Sequence, residues 1–562
     1  MSMSVTSSVA KSLLRSGRAV RSTAHGNRGL CSAFMQERAQ SGGSFWAIAA
    51  AVAVSSVGVA YNEEYNAIHG NVYRLDEIGL HKTKENGIWV TFEGGVYDIT
   101  KFVVNHPGGA DKVMLAAGSD IGPFWNLYPQ HTKSSMPKDL LTPMRIGTLH
   151  PEDRKSQLAE AVHNPADPYS SEPPGSPLLE YHMKKPSNAE CPNSLLTENW
   201  ITPADLFFVR NHHPSPLIEN KDYLLTISGL GLPHGHMDQL DKDKAITFTL
   251  KDLKTKFNKV SIVNSVQCGG NRRAEMNSIR KTFGSPWKTA AISTAKWSGV
   301  RLSDLLKAVG VSERSAEKDG IKHIQFNGGE GLDASIPAHK GLSAYGDVII
   351  AYEMNDKPIP VQHGAPVRII VPGYVGVRNV KWLKRIVLSS EECYGPWQRG
   401  MSYKGFGPST VNLEGIDVEK IPSLQEQPVN SAISIPQKGT KLEPGCKHTV
   451  KGYAYSGGGR GIIRVDVSAD GGETWQTADL KEGADQPLHK AWAWTLWETE
   501  VEIPEAMEGK ECQIICKATD AAYNCQPDNL KGIWNLRGIN NNSWHRVDVK
   551  AEAQEDEEEG EE

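Results

Sequence analysis

The sequence predicts a multidomain α+β protein that ends in an antiparallel β-sandwich. Its 562 residues exceed what one hydrophobic core normally supports, so several domains are expected. Between residues 187 and 410, strand-like runs such as Val367–Val371 are mixed with helical stretches such as Leu302–Val309. After Thr410, apolar and polar residues alternate, as in half-buried strands.

The composition excludes several classes of protein. A formal net charge of -5 argues against nucleic acid as a main partner. Eight cysteines are too sparse over this length for a disulfide framework. Cys512 and Cys516 are four apart in an alternating run, which places both on one face of a strand and favours packing over zinc binding.

The first element, residues 1–68, is predicted to be a presequence. The first 36 residues contain no Asp or Glu but carry Lys11, Arg15, Arg18, Arg21 and Arg28, the composition of a mitochondrial transit peptide. Residues 45–60 are apolar but short for a membrane span. This pair of signals resembles the bipartite presequences of intermembrane-space proteins, so we expect no stable membrane span in the mature form. A retained membrane anchor is the alternative.

The second element, residues 69–150, carries two histidines suited to haem. His106 precedes Pro107-Gly108-Gly109, a turn that can hold its imidazole out into a cleft, and His131 follows within an aromatic stretch. Two neutral imidazoles can fill both axial positions of a haem iron. The segment from Tyr73 to Leu149 resembles the cytochrome b5 family, which implies haem b bound by His106 and His131.

The third element, residues 151–186, is predicted to be a linker. It is polar and contains several prolines that prevent long regular elements, which are Pro165, Pro168, Pro173, Pro174 and Pro177. Proline-rich spacers are extended and semi-rigid. The haem module could therefore dock against the rest of the chain by reorientation.

The fourth element, residues 187–410, contains the most informative motif, which runs from Ser265 to Arg273. Cys268 offers a soft metal ligand, and Gly269-Gly270 lets the backbone approach closely whatever that cysteine holds. Arg272 and Arg273 offer planar guanidinium groups suited to oxyanions. The alternative is a buried structural cysteine in a basic loop.

Further segments strengthen one interpretation of this motif. The run from Ser265 to Met276 resembles the molybdenum site of the sulfite oxidase family, and it is accompanied by related segments at Phe207–His212, Trp287, His363–Arg368, Asn379–Trp382 and Tyr403–Phe406. The resemblance implies a molybdenum-molybdopterin cofactor whose metal is bound by the Cys268 sulfur. It also implies an α+β molybdopterin-binding catalytic domain.

The same resemblance assigns two groups of residues. The pterin and its phosphate would be held by Phe208, Val209, Arg210, Asn211, His212, His363, Arg368, Asn379, Val380 and Lys381. The catalytic pocket for the oxyanion would be lined by Arg210, Arg273, Trp287, Tyr403 and Arg537. Three arginines in one pocket would repel each other unless an anion or a metal centre compensated them.

Two regions depart from the family pattern. Residues 230–248 are longer than usual, and the loop from Phe326 to Asp333 is shortened. Relatives place a pterin-contacting aspartate in that loop, and both Glu330 and Asp333 remain candidates for its counterpart.

The last elements are a sandwich, residues 411–550, and an acidic tail, residues 551–562. Strands are predicted from Ile463, Val465 and Val467, followed by a hairpin turn at Asp470-Gly471-Gly472, and from Trp492, Trp494 and Leu496. The resemblance implies an immunoglobulin-like dimerisation domain and hence a homodimer. The tail is predicted to be solvated and disordered.

The family implies oxidation of sulfite to sulfate by oxygen-atom transfer, with water as the oxygen source and electrons passed through haem b to cytochrome c. Nitrate reduction is the nearest rival, but nitrate reductases place the molybdenum domain before the haem domain and add a flavin region. Nothing after Thr410 resembles a flavin domain or a dinucleotide-binding turn. A haem carrier with an inert molybdenum domain is the rival from another class.

Overall fold

The computed structural model describes residues 71–106, 110–127, 131, 135–158, 169, 172–232 and 246–552. The described residues from Tyr73 onward belong to one compact unit. The predictions for the presequence, for Pro107 to Gly109, and for most of the 230–248 segment and the acidic tail lie outside the described residues. Among the described residues, no helix is long and apolar enough to cross a bilayer.

The amino-terminal region is a mixed six-stranded sheet with short helices. The sheet has the order β1-β6-β4-β3-β2, with β5 beside β3. The strands are β1 (Val72–Tyr73), β2 (Lys82–Thr83), β3 (Gly87–Phe92), β4 (Gly95–Asp98), β5 (Ser119–Asp120) and β6 (Arg145–Leu149). The helices are α1 (Leu75–Ile78), α2 (Ala110–Met114), α3 (Gly122–Leu127) and α4 (Met136–Leu141). The sequence predicts strands in the apolar runs 88–92 and 96–99, and β3 and β4 confirm both.

Regular structure continues into both ends of the segment predicted as a linker. Helix α5 (Pro151–Leu158) begins at a proline, whose missing N–H costs nothing at the first helical position, and has Glu152 and Asp153 in its first turn. At the other end, β7 (Glu180–Met183) pairs with β8 (Asn188–Glu190), and β8 pairs with β9 (Val209–Arg210).

The central region is built on two five-stranded sheets. One has the order β11-β10-β19-β14-β15, and the other has the order β12-β13-β16-β17 with β18 on β16. Their strands are β10 (Leu224–Gly229), β11 (Ile246–Thr249), β12 (Val260–Gln267), β13 (Ile292–Arg301), β14 (His323–Asn327), β15 (Asp333–Pro337), β16 (Ile349–Met354), β17 (Lys357–Pro358), β18 (Arg368–Ile370) and β19 (Arg385–Ser389).

Short helices cover these sheets and complete the predicted α+β mixture. They are α6 (Asn193–Leu196), α7 (Leu250–Thr255), α8 (Arg273–Met276), α9 (Leu302–Ala308), α10 (Glu313–Lys318) and α11 (Ala338–Leu342). Helix α7 begins with a capping box in which Thr249 and Asp252 exchange hydrogen bonds. Helix α9, predicted at 302–309, packs Leu302, Leu305 and Leu306 into one core with the strands of both sheets.

The carboxy-terminal region is a sandwich of two sheets, with orders β20-β22-β26-β25 and β21-β28-β27-β23-β24. Its strands are β20 (Asn430–Ile435), β21 (Lys441–Leu442), β22 (Lys447–Tyr455), β23 (Ile462–Ser468), β24 (Gln476–Thr477), β25 (Asp479–Leu480), β26 (Thr495–Glu502), β27 (Glu511–Asp520) and β28 (His545–Ala551). The predicted turn at Asp470 joins β23 to β24, and its carboxylate accepts hydrogen bonds from the amides of Glu473 and Thr474.

One predicted strand is wrong at its start. Trp492 and Trp494 precede β26, and their main chains bond to Ser265 of β12: the Ser265 amide donates to the Trp492 carbonyl, and the Trp494 amide donates to the Ser265 hydroxyl. Trp492 and Trp494 extend the alternating pattern of β26 in the sequence because both indoles are buried against the central region. Their ring N–H groups donate to Asp347 and Trp200, respectively.

The packing interpretation of the paired cysteines is confirmed. Cys512 and Cys516 lie on one face of β27 and are buried in the sandwich core. Within the described ranges, no group of three His, Cys, Asp or Glu side chains is placed to hold a metal ion.

Candidate active site

A cleft of about 690 Å³ in the central region collects most of the predicted site residues. Those that line it are Phe208, Arg210, His212, Cys268, His363, Arg368, Asn379, Val380, Lys381 and Tyr403. Its wall also includes Asp333, one of the two candidates for the pterin-contacting aspartate, and residues that the sequence did not indicate: Phe207, Val266, Leu332, Gly376, Val377 and Trp397.

Cys268 lies at the point where β12 ends, and its side chain lines the cleft. Its amide donates to the Ala291 carbonyl over 2.9 Å, which fixes the backbone, and the Gly270 amide lies 3.4 Å from the sulfur. A Cβ atom on Gly269 would stand 3.5 Å from the ring of Tyr403. The Cys268 sulfur and the Tyr403 ring therefore lie close together in the cleft wall, although Cys268 is only 7% exposed.

Arg272 does not belong to this part of the cleft wall, so the prediction that both arginines of the motif serve an anion is wrong for this residue. All its donors are used elsewhere. Nε and Nη2 donate to the carboxylate of Glu275, and the remaining N–H groups donate to the carbonyls of Ser431, Ser543 and Trp544. Arg272 is 0% exposed and joins the cysteine loop to the sandwich.

Arg273 does not line the cleft but interacts electrostatically with Cys268. Burial lowers the pKa of Arg273, and the positive charges of Arg537 and Arg210 lower it further, while Cys268 and Tyr403 act in the opposite direction. Burial likewise lowers the pKa of Arg537, which interacts with Tyr403 and Arg210. Electrostatic interactions thus connect four residues, which together are called the cationic pocket below: Arg210, Arg273, Arg537 and Tyr403.

Three glycines surround the guanidinium group of Arg273. A Cβ atom on Gly270 would lie 2.5 Å from its Nη2, one on Gly284 would lie 2.6 Å from its Nη1, and one on Gly538 would lie 2.6 Å from its Cγ. Nε donates to the carbonyls of Arg537 and Gly538, and Nη1 donates to the carbonyl of Ser285. The side chain is therefore fixed by backbone on several sides.

Trp287 lies behind the cleft wall. It is 0% exposed, its ring is 6.4 Å from that of Phe208, and it meets the His182 ring edge-on at 5.0 Å. The indole Nε1 is buried without a hydrogen-bond partner among the described residues. His182 is held in turn by Glu190, whose carboxylate is 2.6 Å away.

The other end of the cleft, called the basic end, gathers buried cations. Burial lowers the pKa of Lys381 well below its ordinary value, and Arg368 and Arg210 lower it further. Burial also lowers the pKa of Arg368 to about 9. Burial and the neighbouring cations lower the pKa of His363 to about 3 and that of His212 to about 2. Like charges in a closed space favour a bound anion.

The donors at the basic end are fixed in place. The ammonium of Lys381 donates to the carbonyls of Arg210 and Gln362 and to the side chain of Asn211. Arg368 donates to the carbonyls of His363 and Asn379, each over 2.8 Å. Its Nε is buried without a partner among the described residues. Asn211 and Val209 lie behind the surface, since Asn211 holds Lys381 and Val209 is packed in the core.

Two wall residues complete the cleft. Asp333 begins β15 and lines the cleft, which favours it as the acidic counterpart left open by the sequence; the side chain of Glu330 lies outside the described residues. Trp397 packs on His212 with ring centres 4.0 Å apart, and its Nε1 is buried without a partner among the described residues. Neither residue belongs to a recognisable motif.

The two predicted haem ligands face each other in the amino-terminal region. The ring centres of His106 and His131 are 6.2 Å apart. One metal ion fits between the two rings. Each metal–nitrogen bond takes about 2 Å of this separation, and the remaining ~2 Å is the sum of the two distances from a ring nitrogen to the centre of its own ring. His131 Nδ1 lies 3.2 Å from the Trp125 carbonyl, a contact that orients the ring.

Three protein-family models match this chain. The model described as "Cytochrome b5-like Heme/Steroid binding domain" matches residues 74–150. "Oxidoreductase molybdopterin binding domain" matches residues 212–397, and "Mo-co oxidoreductase dimerisation domain" matches residues 422–552.

Relatives match along most of the chain. It is 46% identical over 485 residues to the mitochondrial sulfite oxidase of Rattus norvegicus, covering 85% of this chain and 84% of that protein. It is 43% identical over 480 residues to the sulfite oxidase of Gallus gallus, covering 84% and 99%. The crystal structure of the sulfane dehydrogenase SoxCD from Paracoccus pantotrophus shares the fold at a TM-score of 0.53 and 24% identity, covering 71% of this chain and 90% of that one.

The three regions and the cleft define a molybdopterin-dependent oxidoreductase that carries a cytochrome b5-like domain and a dimerisation domain. This confirms the predicted multidomain α+β class and the two predicted cofactors, a molybdenum-molybdopterin and a haem. The chain belongs to the sulfite oxidase family.

Proposed function

We propose that this protein oxidises sulfite to sulfate by oxygen-atom transfer at a molybdenum-pterin centre and passes the electrons through haem b to cytochrome c. The observation that carries the proposal is the position of the Cys268 sulfur on the cleft wall, beside Tyr403 and the cationic pocket. A soft ligand beside positive charge suits a metal that acts on a small oxyanion.

The residues of the cleft fit the pterin cofactor. The basic end offers buried cations and the unpaired Nε of Arg368, which suit a phosphate group. Phe208, Val209, Asn211, His212, His363, Asn379 and Val380 would shape the rest of the pterin site, and Asp333 would accept hydrogen bonds from the pterin ring.

The cationic pocket would bind the substrate. Arg210, Arg273 and Arg537 offset the negative charge of sulfite, and they raise the rate only insofar as they favour the transition state over bound sulfite. Tyr403 donates a hydrogen bond that orients the substrate, and the unpaired Nε1 of Trp287 lies behind Phe208 as a further donor. When bound, the molybdenum centre accepts two electrons and supplies the transferred oxygen atom, which water replaces.

His106 and His131 would hold the haem iron from both sides. When bound, the haem carries one electron at a time from the molybdenum centre to the acceptor. Burial lowers the pKa of His131, which keeps its imidazole neutral and able to bind a metal near neutral pH.

The organisation of the chain is proposed with this function. A presequence, residues 1–68, directs the protein to the mitochondrial intermembrane space. The haem domain spans 69–150, the linker 151–186, the catalytic domain 187–410, the dimerisation domain 411–550 and the tail 551–562. The match of residues 422–552 to a dimerisation domain supports a homodimer.

The test is an assay of the purified protein for molybdenum and haem, followed by steady-state turnover with sulfite and cytochrome c. Cys268→Ser is expected to abolish sulfite oxidation and to leave the haem absorbance spectrum intact, because the two sites lie in different regions. Cys512→Ser, a buried cysteine of the sandwich core, is the matched control and is expected to retain turnover.

Unchanged turnover in Cys268→Ser would remove the cysteine from the mechanism. Nitrate reduction that exceeds sulfite oxidation in the wild-type protein would favour the nitrate rival. Bound haem without molybdenum or turnover would favour the electron carrier.

A further inference from the structure

Arg378 is a buried arginine directly beneath the cleft. It ends a single turn of 3-10 helix, Gly376–Arg378, whose first two residues line the cleft, and it is 0% exposed. Gly376 lies against the cysteine loop, since a Cβ atom on it would stand 3.0 Å from the carbonyl oxygen of Gln267. The turn that carries Arg378 is therefore built on the backbone that presents Cys268.

The guanidinium group of Arg378 joins two other segments. Nε and Nη2 donate to the Leu424 carbonyl over 3.1 and 2.8 Å, and Nη1 donates to the Trp397 carbonyl and to the side chain of Gln398. The Leu424 amide donates to the Tyr403 carbonyl over 2.8 Å. The guanidinium carbon lies 6.0 Å from the centre of the Tyr403 ring.

Tyr403 needs such support because its backbone is unfavourable. Its φ of 61° lies in the left-handed region, which is unfavourable for a non-glycine residue. Lys404 holds the next position by donating to the carbonyl of Ile421 and the hydroxyl of Ser423. Arg378 lies beside the Tyr403 ring and holds the segment that contains Leu424.

A positive charge is an expensive way to satisfy carbonyl groups in a buried position. Burial lowers the pKa of Arg378 to about 10, so the group stays charged at neutral pH, and its charge faces Tyr403, Glu392, Cys393 and Tyr374. Neutral donors could bond the same carbonyls at lower cost. The charge lies 6.0 Å from the centre of the Tyr403 ring, so Arg378 acts on the phenol as well as on the carbonyls that it bonds.

We propose that Arg378 is a positioning residue that fixes Tyr403 relative to Cys268 without touching the substrate. The inference rests on the proposed sulfite oxidation. Through the Trp397 carbonyl it also fixes the wall residue that packs on His212.

The test is a double-mutant cycle in the holoenzyme with Arg378→Met and Tyr403→Phe, with turnover expressed per bound molybdenum. Arg378→Met alone is expected to lower kcat on the order of tenfold, because a small misplacement of a reacting group is costly, and to change the KM for sulfite less. In the Tyr403→Phe background the same substitution is expected to have little further effect. Arg378→Lys, which keeps the charge, is expected to recover part of the loss.

The matched control is Arg385→Met on β19, whose Nε donates to Ser228 and which does not line the cleft. Its effect on kcat is expected to be the same in both backgrounds. If Arg378→Met lowers kcat by an equal factor with and without the Tyr403 hydroxyl, the inference is overturned. If Arg378→Met does not fold, Arg378→Lys takes its place, and then Gln398→Leu, which removes only one acceptor of Arg378. A wild-type protein that fails to oxidise sulfite would instead overturn the proposed function.

Discussion

Arg272 and Arg273 are neighbours in the chain with opposite surroundings. Arg272 has φ 61° and points into the seam with the sandwich, where Glu275 and three carbonyls use its donors. Arg273 begins α8, lies among glycines and interacts with the cysteine. The turn at Arg272 thus separates a cation bound in the seam with the sandwich from one that interacts with Cys268 and Tyr403.

The glycines around Arg273 give a first prediction. Gly270→Ala is expected to displace the guanidinium group, because the new methyl group would lie 2.5 Å from Nη2. Loss of one charge-assisted contact in the cationic pocket should raise the KM for sulfite on the order of tenfold. Steady-state kinetics measure this. Gly532→Ala is the control, since a Cβ atom there meets nothing within 4 Å. Equal KM values for the two variants would contradict the prediction.

At the scale of single residues, the sequence identifies which residues carry chemistry but not the direction in which their side chains point. Cys268, Tyr403 and Lys381 stand in segments that indicate chemistry, and the cleft collects them. Nothing in the motif distinguishes Arg272 from Arg273, because both are arginines. Their side chains take different directions because Arg272 has a left-handed φ. Trp397 and Arg378 were not selected because their roles depend on contacts between segments distant in the chain.

Strand β28 is joined to β20 through a buried histidine. Nδ1 of His545 accepts a hydrogen bond from the Ile433 amide over 3.0 Å, and the residue is 6% exposed. Burial lowers the pKa of His545 to about 4, with Arg272 and Arg546 acting in the same direction and Glu275 opposing them. Protonation of Nδ1 would remove the acceptor that joins the two sheets of the sandwich.

The pH dependence follows from this pKa. In the unfolded chain the histidine titrates near 6.5, so the unfolded state binds more protons between about pH 6.5 and 4, and stability falls as pH falls through that range. At pH 5 the loss is about 2 kcal/mol. His545→Asn, which keeps an acceptor without titrating, is expected to flatten the decline in melting temperature from pH 7.5 to 5.

The control for this measurement is His448→Asn, at a half-buried position on β22. It is expected to leave the pH dependence of the melting temperature as in the wild type. Parallel curves for His545→Asn and the wild type would show that His545 does not carry the effect.

At the scale of elements the sequence predicted several of the strands and one helix, including β3, β4 and α9, because their apolar patterns match the side that is buried. It failed at Trp492 and Trp494. There, the two indoles are buried by packing against another domain rather than by pairing in a sheet. Periodicity alone cannot separate these two causes.

At the scale of the molecule, the haem module contacts the central region. Lys112 of α2 forms an ion pair with Glu198 over 2.8 Å, and Leu115 and Phe124 pack against a core that includes Leu195 and Leu196 of α6. Phe124 also packs in the core of the haem module itself. The same ring thus belongs to both sides of the contact, so this position of the module is specific.

This contact gives a prediction about the arrangement of the modules. Glu198→Lys is expected to disfavour the docked position by on the order of 1–2 kcal/mol, which lowers the docking equilibrium constant roughly 5–30-fold. Small-angle X-ray scattering should then report a larger radius of gyration. The exchanged pair Lys112→Glu with Glu198→Lys should restore the compact value, and high salt should reduce the difference.

Glu93→Lys is the matched control, because Glu93 pairs with Lys138 inside the haem module. The same change of charge there should leave the scattering curve unchanged. An equal expansion in both variants would argue against a docked position held by Glu198. The order of modules could be predicted from the sequence, but this contact could not, since it depends on which surfaces meet in space.

The crowded cations of the basic end affect how long the protein survives before it binds its cofactor. Lys381, Arg368 and Arg210 repel one another in a dry space, so the folded state without an anionic ligand carries a free-energy penalty that the unfolded chain does not. A ligand that binds only the folded form shifts this balance by mass action. Supply of the pterin should therefore govern how long newly made copies survive proteolysis as well as whether they turn over.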